Sequence, residues 1–292
     1  MSVIAAEPAL IAAKPRSAQL RRFARRNPTI VAGGTILAII AALAIAAPLF
    51  AGDAITMQPA LRLRPPSEAN WFGTDHLGRD VFARTVYGAQ VSLFVGISVA
   101  AMSITGGLVI GLLSGYFRKV DAVVMRLMDG LMAIPAILLA IALVALTRAS
   151  VTAVIVAITI PEIPRVVRLV RAVVLSVREA PYVEAAIAGG TPTWKILLRH
   201  ILPNTIAPLI VQATYICASA ILIEAALSFL GAGTPPEIPT WGNMIAQSRL
   251  FLSRAPWTIF CPGIALALVV LAVNLLGDGL RDRLDPRLAR RM

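Results

Sequence analysis

The chain has 292 residues, of which 58% are apolar and 14% charged. Soluble domains hold about 45–50% apolar and about 25% charged residues, and disordered chains are rich in charge and poor in aliphatics. Both classes are excluded, which leaves an integral membrane protein. The net charge of +12 would point to nucleic acid in a soluble domain. In a membrane protein basic residues gather in the cytoplasmic loops instead, so no nucleic-acid partner is expected.

A helix needs about 20 mostly apolar residues to cross about 30 Å of hydrocarbon. On that window six spans fall at 29–50, 91–115, 122–146, 151–174, 205–230 and 257–277, an all-α membrane fold in the lipid bilayer. The first follows Arg21, Arg22, Arg25 and Arg26 and has an Ala-rich end, as a signal peptide would. Its length and the five spans beyond it favour a retained helix. The chain then divides into an N-terminal tail (1–28), the first helix (29–50), an outer loop (51–90), a five-helix core (91–277) and a C-terminal tail (278–292). With the spans in this order, 20 of the 27 Lys and Arg fall on the side of both termini, which the positive-inside bias makes cytoplasmic.

In the second span Gly107, Gly111 and Gly115 make two GxxxG steps on one face, the pattern that lets helix backbones approach closely. Ionisable residues are sparse. Asp129 has Arg126 one turn before it and is expected to pair structurally, while Glu224, near the outer edge of the fifth span, suits helix packing against a partner or a gate. Cys217 and Cys261 lie in apolar runs, where a free thiol acts as a small hydrophobe, so neither a disulfide nor a metal site is expected. His76 and His200 fall on opposite sides of the bilayer, Ser114 lacks a nucleophile context, and no HExxH or phosphate loop occurs. No catalytic residues are therefore expected, and an intramembrane hydrolase is disfavoured. An ion-coupled carrier, the other alternative, would bury ionisable groups near the midplane.

Residues 175–204 form the longest inner loop. Pro181 suits a first helical position, Gly189 and Gly190 a helix end, and Thr191 with Pro192 the cap of a second short helix. The loop reads as a compact helix, turn and helix shaped to dock into a partner. Glu184-Ala185-Ala186, Gly190 and Leu202-Pro203 at their spacing resemble the EAA loop of permease subunits in binding-protein-dependent ABC importers. His200 and Gly189 depart from the general family pattern, which has apolar residues there. Three further segments are similar to the C-type permease of the dipeptide, oligopeptide and nickel group. They are Trp71 to Asp80 (WFGTDHLGRD), Leu227 to Gly231 running to Trp241-Gly242, and Asn274 to Asp282 with Leu284-Asp285-Pro286 beyond.

That resemblance implies a type I ABC importer permease in a bacterial inner membrane. It implies a homologous B-type permease subunit beside this chain, two ATPase subunits holding ATP and Mg, a periplasmic solute-binding protein, and no cofactor in the chain itself. Tyr182, Glu184, Ala185, Ala186, Gly190, Leu202 and Pro203 become the residues that couple to an ATPase. Gly73, Asp75, His76, Gly78, Arg79 and Asp80 become the family motif of the periplasmic loop, with His76 structural and not a metal ligand. That loop and 231–256, with Pro235, Pro236, Glu237, Pro239 and Trp241, are expected to meet the binding protein and the partner permease. The implied cargo is a peptide, with glutathione-like peptides and nickel chelates as alternatives.

Overall fold

The computed structural model describes residues 24–284, in which every regular element is a helix and a single isolated bridge joins Thr74 to Asp80. The helices are α1 (Pro28–Phe50), α2 (Val81–Tyr116), α3 (Arg118–Ala133), α4 (Ala136–Ala145), α5 (Val151–Arg178), α6 (Pro181–Ala188), α7 (Thr193–Phe229), α8 (Trp241–Ser248) and α9 (Trp257–Leu284). We call the end of the bundle where α2 begins the upper end, and the end where it finishes the lower end. Arg21, Arg22, Asp285 and Pro286 lie outside the described residues, as do most of both tails.

The broadest helix contact is between α2 and α5, which run parallel. Its register is set by three glycines. A Cβ on Gly107, Gly111 or Gly115 would lie 2.4, 2.7 or 2.6 Å from the Cβ of Val166, Val170 or Val174. Only hydrogen fits at those positions, so the two backbones touch along three turns. Lipid supplies no hydrophobic drive between helices, and dispersion contacts of this kind are what hold them. The core formed by α2, α4, α5 and α7 buries Val95, Val99, Ile158, Val166 and Leu227. A second cluster joins α1, α2, α7, α8 and α9 around the fully buried Trp241.

Among the described residues four helices, α1, α2, α7 and α9, are long and apolar enough to cross a membrane, and α3 with α4 makes a fifth candidate only as a pair bent by 89°. The expected straight span at 122–146 is therefore a broken one. Pro135 supplies no N–H to continue the helix and forces Ile134 into an extended conformation (φ −91°, ψ 129°). The expected span at 151–174 forms a 28-residue helix, but Glu162, Arg165, Arg168 and Arg171 give it more charge than the four apolar helices carry. Arg165, Arg168, Arg171 and Arg178 all lie inside α5.

Two boundaries also move. Helix α2 starts ten residues before the expected span because Asp80 caps it, accepting from the Phe82 N–H at 2.9 Å. The second half of the 175–204 loop is no separate short helix. It is the first part of α7, continuous through a π-helical stretch, Ile196–Ile201.

Replacing Gly111 by Ala is expected to lower the melting temperature of the detergent-solubilised complex, since overpacking costs about 1–3 kcal/mol. Gly130→Ala, on α3 with nothing within 4 Å of the new methyl, is expected to leave it unchanged or raise it slightly. Equal melting of the two variants would refute the tight seam.

Candidate functional site: two polar assemblies and a charged stripe

At the upper end Asp75 organises the loop before α2. Its Oδ1 accepts from the backbone N–H groups of Leu77 and Arg79 at 2.8 and 2.9 Å, and its Oδ2 from Arg79 Nε at 2.7 Å. Arg84 Nε lies 3.7 Å from the same Oδ2, and Arg84 Nη1 donates to the Ala54 carbonyl at 3.2 Å. Arg79 Nη2 reaches Gln247 on α8 at 2.9 Å. Gly78 has φ +76°, and a Cβ there would fall 1.9 Å from the Gln58 carbonyl oxygen, so the turn demands glycine. Gly73, at φ +69°, is buried in the preceding turn, its N–H on the Asn70 carbonyl at 2.9 Å. His76 stacks on Phe251 with ring centroids 5.5 Å apart, and burial holds its pKa below the usual histidine value.

The family motif is therefore an internal clamp. Asp75 and Arg79 are buried, and Trp241, expected at a partner contact, is fully enclosed, with its indole N–H on the Thr85 carbonyl at 3.0 Å. Trp71, Glu237, Leu250 and Leu252 are among the residues that the upper surface exposes. Glu224 is likewise turned inward. It is fully buried beneath the start of α8, accepts from Ser228 Oγ at 2.9 Å, and leaves its second oxygen without a hydrogen-bond partner. Its carboxylate is enclosed within this chain.

At the lower end α6 is a free-standing knob on an anchored base. Pro181 opens it and Val183 is buried in the core with Val174, Ile196 and Ile201. It closes when the Gly190 N–H bonds the Ile187 carbonyl and the Thr191 N–H the Ala186 carbonyl, both at 3.0 Å, with Gly190 left-handed at φ +75°. Thr191 thus ends α6, and Pro192, not Thr191, stands at the head of α7. Tyr182, Glu184, Ala185, Ile187, Trp194 and Leu198 are exposed around Ala186. Tyr182 also accepts from Asn204 Nδ2 at 3.3 Å, one residue beyond Pro203, and Leu202 heads the regular α-helical part of α7.

A third assembly runs along α5. Along α5 Arg165 pairs with Glu162 at 3.0 Å, Arg168 with Asp129 at 2.6 Å and Arg171 with Asp121 at 2.5 Å. Asp129 thus takes its partner from α5, not Arg126. Glu162, between Pro161 and Pro164, is fully buried. The arginines recur every third residue, a pattern visible in the sequence as one helix stripe. Among the described residues no group of three His, Cys, Asp or Glu could hold a metal ion, and both cysteines are free.

Asp75→Asn removes the carboxylate that two buried guanidinium groups share. Breaking such a pair costs about 3–5 kcal/mol, so the variant is expected to expose 51–80 to limited proteolysis in detergent. Glu68→Gln, at an exposed position, is expected to cut at the wild-type rate, and equal resistance of both variants would count against the clamp.

Residues 107–290 match the family model described as binding-protein-dependent transport system inner membrane component. The chain is 60% identical over 270 residues to a "Probable peptide ABC transporter permease protein" of Sinorhizobium fredii, covering 92% of this chain and 93% of that protein. It is 40% identical over 292 residues to the di/tripeptide transport system permease protein of Pseudomonas aeruginosa, covering 97% and 96%. A solved structure of the methionine ABC transporter MetNI in an inward-facing conformation is similar with a TM-score of 0.55 at 21% identity, over 69% of this chain and 96% of that one, a likeness of fold. This chain belongs to the binding-protein-dependent transport system inner membrane component family, as a multi-pass inner-membrane permease subunit that is not itself catalytic and works in an ABC transporter with a binding protein and ATP-hydrolysing partner subunits.

Proposed function

We propose that this chain is the C-type permease subunit of a peptide importer, crossing the inner membrane six times with both termini and α6 in the cytoplasm. The named functions of the two relatives support a peptide cargo, glutathione-like peptides included, in preference to a nickel chelate. The sixth crossing is α5, whose Glu162 is buried and whose arginines are paired with carboxylates, so that its charges are kept from lipid in the assembled complex. The bias of basic residues supports the orientation.

The observation that carries the reading is the lower knob. A short helix with small faces at Ala185 and Ala186, ringed by exposed Tyr182, Ile187, Trp194 and Leu198, is a compact surface for a groove on an ATPase. Its base is continuous with α5 through buried Val183, and α5 is locked to α2 by the glycine seam. Closure of the ATPase pair around ATP therefore moves α6, α5 and α2 as one body, and the passage between the two permeases turns from inward-facing to outward-facing. The exposed upper loops meet the binding protein.

Glu184→Lys reverses the charge presented to the ATPase, and Gly190→Val puts a branched side chain at a left-handed position. Each is expected to leave the four-subunit complex assembled and ATP hydrolysis running in proteoliposomes, while most ATP-driven dipeptide uptake is lost. Wild-type uptake in both variants would show that α6 is not the coupling contact.

A further inference from the structure

The seam between α2 and α5 also fixes the depth of the charged stripe. Gly107 faces Val166 and Gly111 faces Val170, so one turn higher Ser103 is level with Glu162. Exposed apolar side chains on α2 run from Phe94 through Ile97, Met102 and Val109 to Leu113. This is the length of α2 that suits hydrocarbon, and Ser103 lies at its middle. Counting along α5 gives the same answer, since Glu162 is about 17 Å below Val151 at 1.5 Å per residue. Arg165 and Arg168 follow within two turns, in the lower half of the bilayer.

At that depth the side chains of Arg165, Arg168 and Asp129 are 40%, 46% and 58% exposed. Charges so placed do not face lipid; they face a protein partner or water. The hydrogen bonding favours water. A guanidinium has five donors, yet Arg165 engages Glu162 through Nη1 alone and Arg168 engages Asp129 through Nη2 alone. A dry contact would have to satisfy every remaining donor, and Pro164 adds the Ile160 carbonyl, which it leaves without a helical N–H. The break between α3 and α4 keeps α3 from covering this face: the pair turns by 89°, and Arg165 stays open.

We propose that Arg165 and Arg168, held by Glu162 and Asp129, are the charged wall of the water-filled passage, and that Arg165 meets the α-carboxylate of the passing peptide. The inference rests on the peptide-importer reading above. Pairing with Glu162 suits transit: a lone guanidinium at mid-membrane would hold a carboxylate too firmly, whereas one already neutralised binds it weakly enough to release it.

The test uses the complete complex in nanodiscs, where both faces are accessible, with Cys217 and Cys261 replaced by Ala. Arg168→Cys is treated with a charged, membrane-impermeant methanethiosulfonate, and Ile39→Cys, exposed on α1, serves as the lipid-facing comparison. Without nucleotide, position 168 is expected to react on the order of tenfold faster or more, because the reactive thiolate requires water. Trapping with ATP and vanadate slows it. Millimolar alanyl-alanine also slows it, alanyl-alanine amide does not, and adding Arg165→Gln abolishes the protection. If position 168 is as inert as position 39, the stripe is a dry contact and the proposal falls. Should Arg165→Gln destabilise the complex, Arg165→Lys in the same background is expected to retain partial protection by the free acid. Labelling that the free acid and the amide slow equally, or neither slows, overturns the role of Arg165. ATP-driven alanyl-alanine uptake by the wild-type complex is measured alongside. Its absence would refute the peptide reading, while the labelling of position 168 would still decide whether the wall is wet.

Discussion

Backbone contact between α2 and α5, permitted only because Gly107, Gly111 and Gly115 lack side chains, is the constraint from which the rest of the arrangement follows. It sets the register of the two helices and so the depth at which Glu162, Arg165 and Arg168 sit. It also joins the two ends of the molecule. Helix α2 is 36 residues long, about 54 Å at 1.5 Å per residue, with the Asp75 clamp at its head. Helix α5 ends at the base of α6. A seam of closely packed helix is stiff, because interiors of this density resist small displacements.

The two polar assemblies inside the chain serve that stiffness. Asp75 gathers Arg79, Arg84 and the backbone of the loop, and Arg79 passes the connection to α8 through Gln247. Helix α8 is held by its Thr240 cap, by Trp241 on Thr85 and by close contact of Gly242 with Ala225. Glu224 lies under this seat with Ser228 as its donor. Several residues that look like surface recognition groups in the sequence are therefore the fastenings of the upper end, while Trp71, Glu237 and Leu250 are exposed there.

Much of this was legible from residue spacing. The glycine seam, the α6 knob with its glycine stop, and the membrane class follow from rules that act within one or two turns of helix. The misses share a different cause. A window average conceals Glu162 and Arg165 inside an otherwise apolar run, although Pro161 and Pro164 marked that segment as unusual. Asp129 finds Arg168, 39 positions away in the chain, and no local rule could prefer it to Arg126. The break at Ile134 and Pro135 was present as a proline signal but was overridden by apolar content. Burial of Trp241 and Glu224 depends on α8 folding back over α7, a tertiary event that hydropathy does not encode.

The central claim is that α2, α5 and α6 move as one body when the ATPase partners close. Spin labels at Phe94 on α2 and Ala188 on α6, both exposed, in a complex without Cys217 and Cys261, report the distance between the seam and the knob by pulsed electron paramagnetic resonance. Movement as one body predicts the same distance distribution in the nucleotide-free complex and in the complex trapped with ATP and vanadate. A displaced distribution in the trapped complex would show that the knob moves independently of the seam and would contradict it.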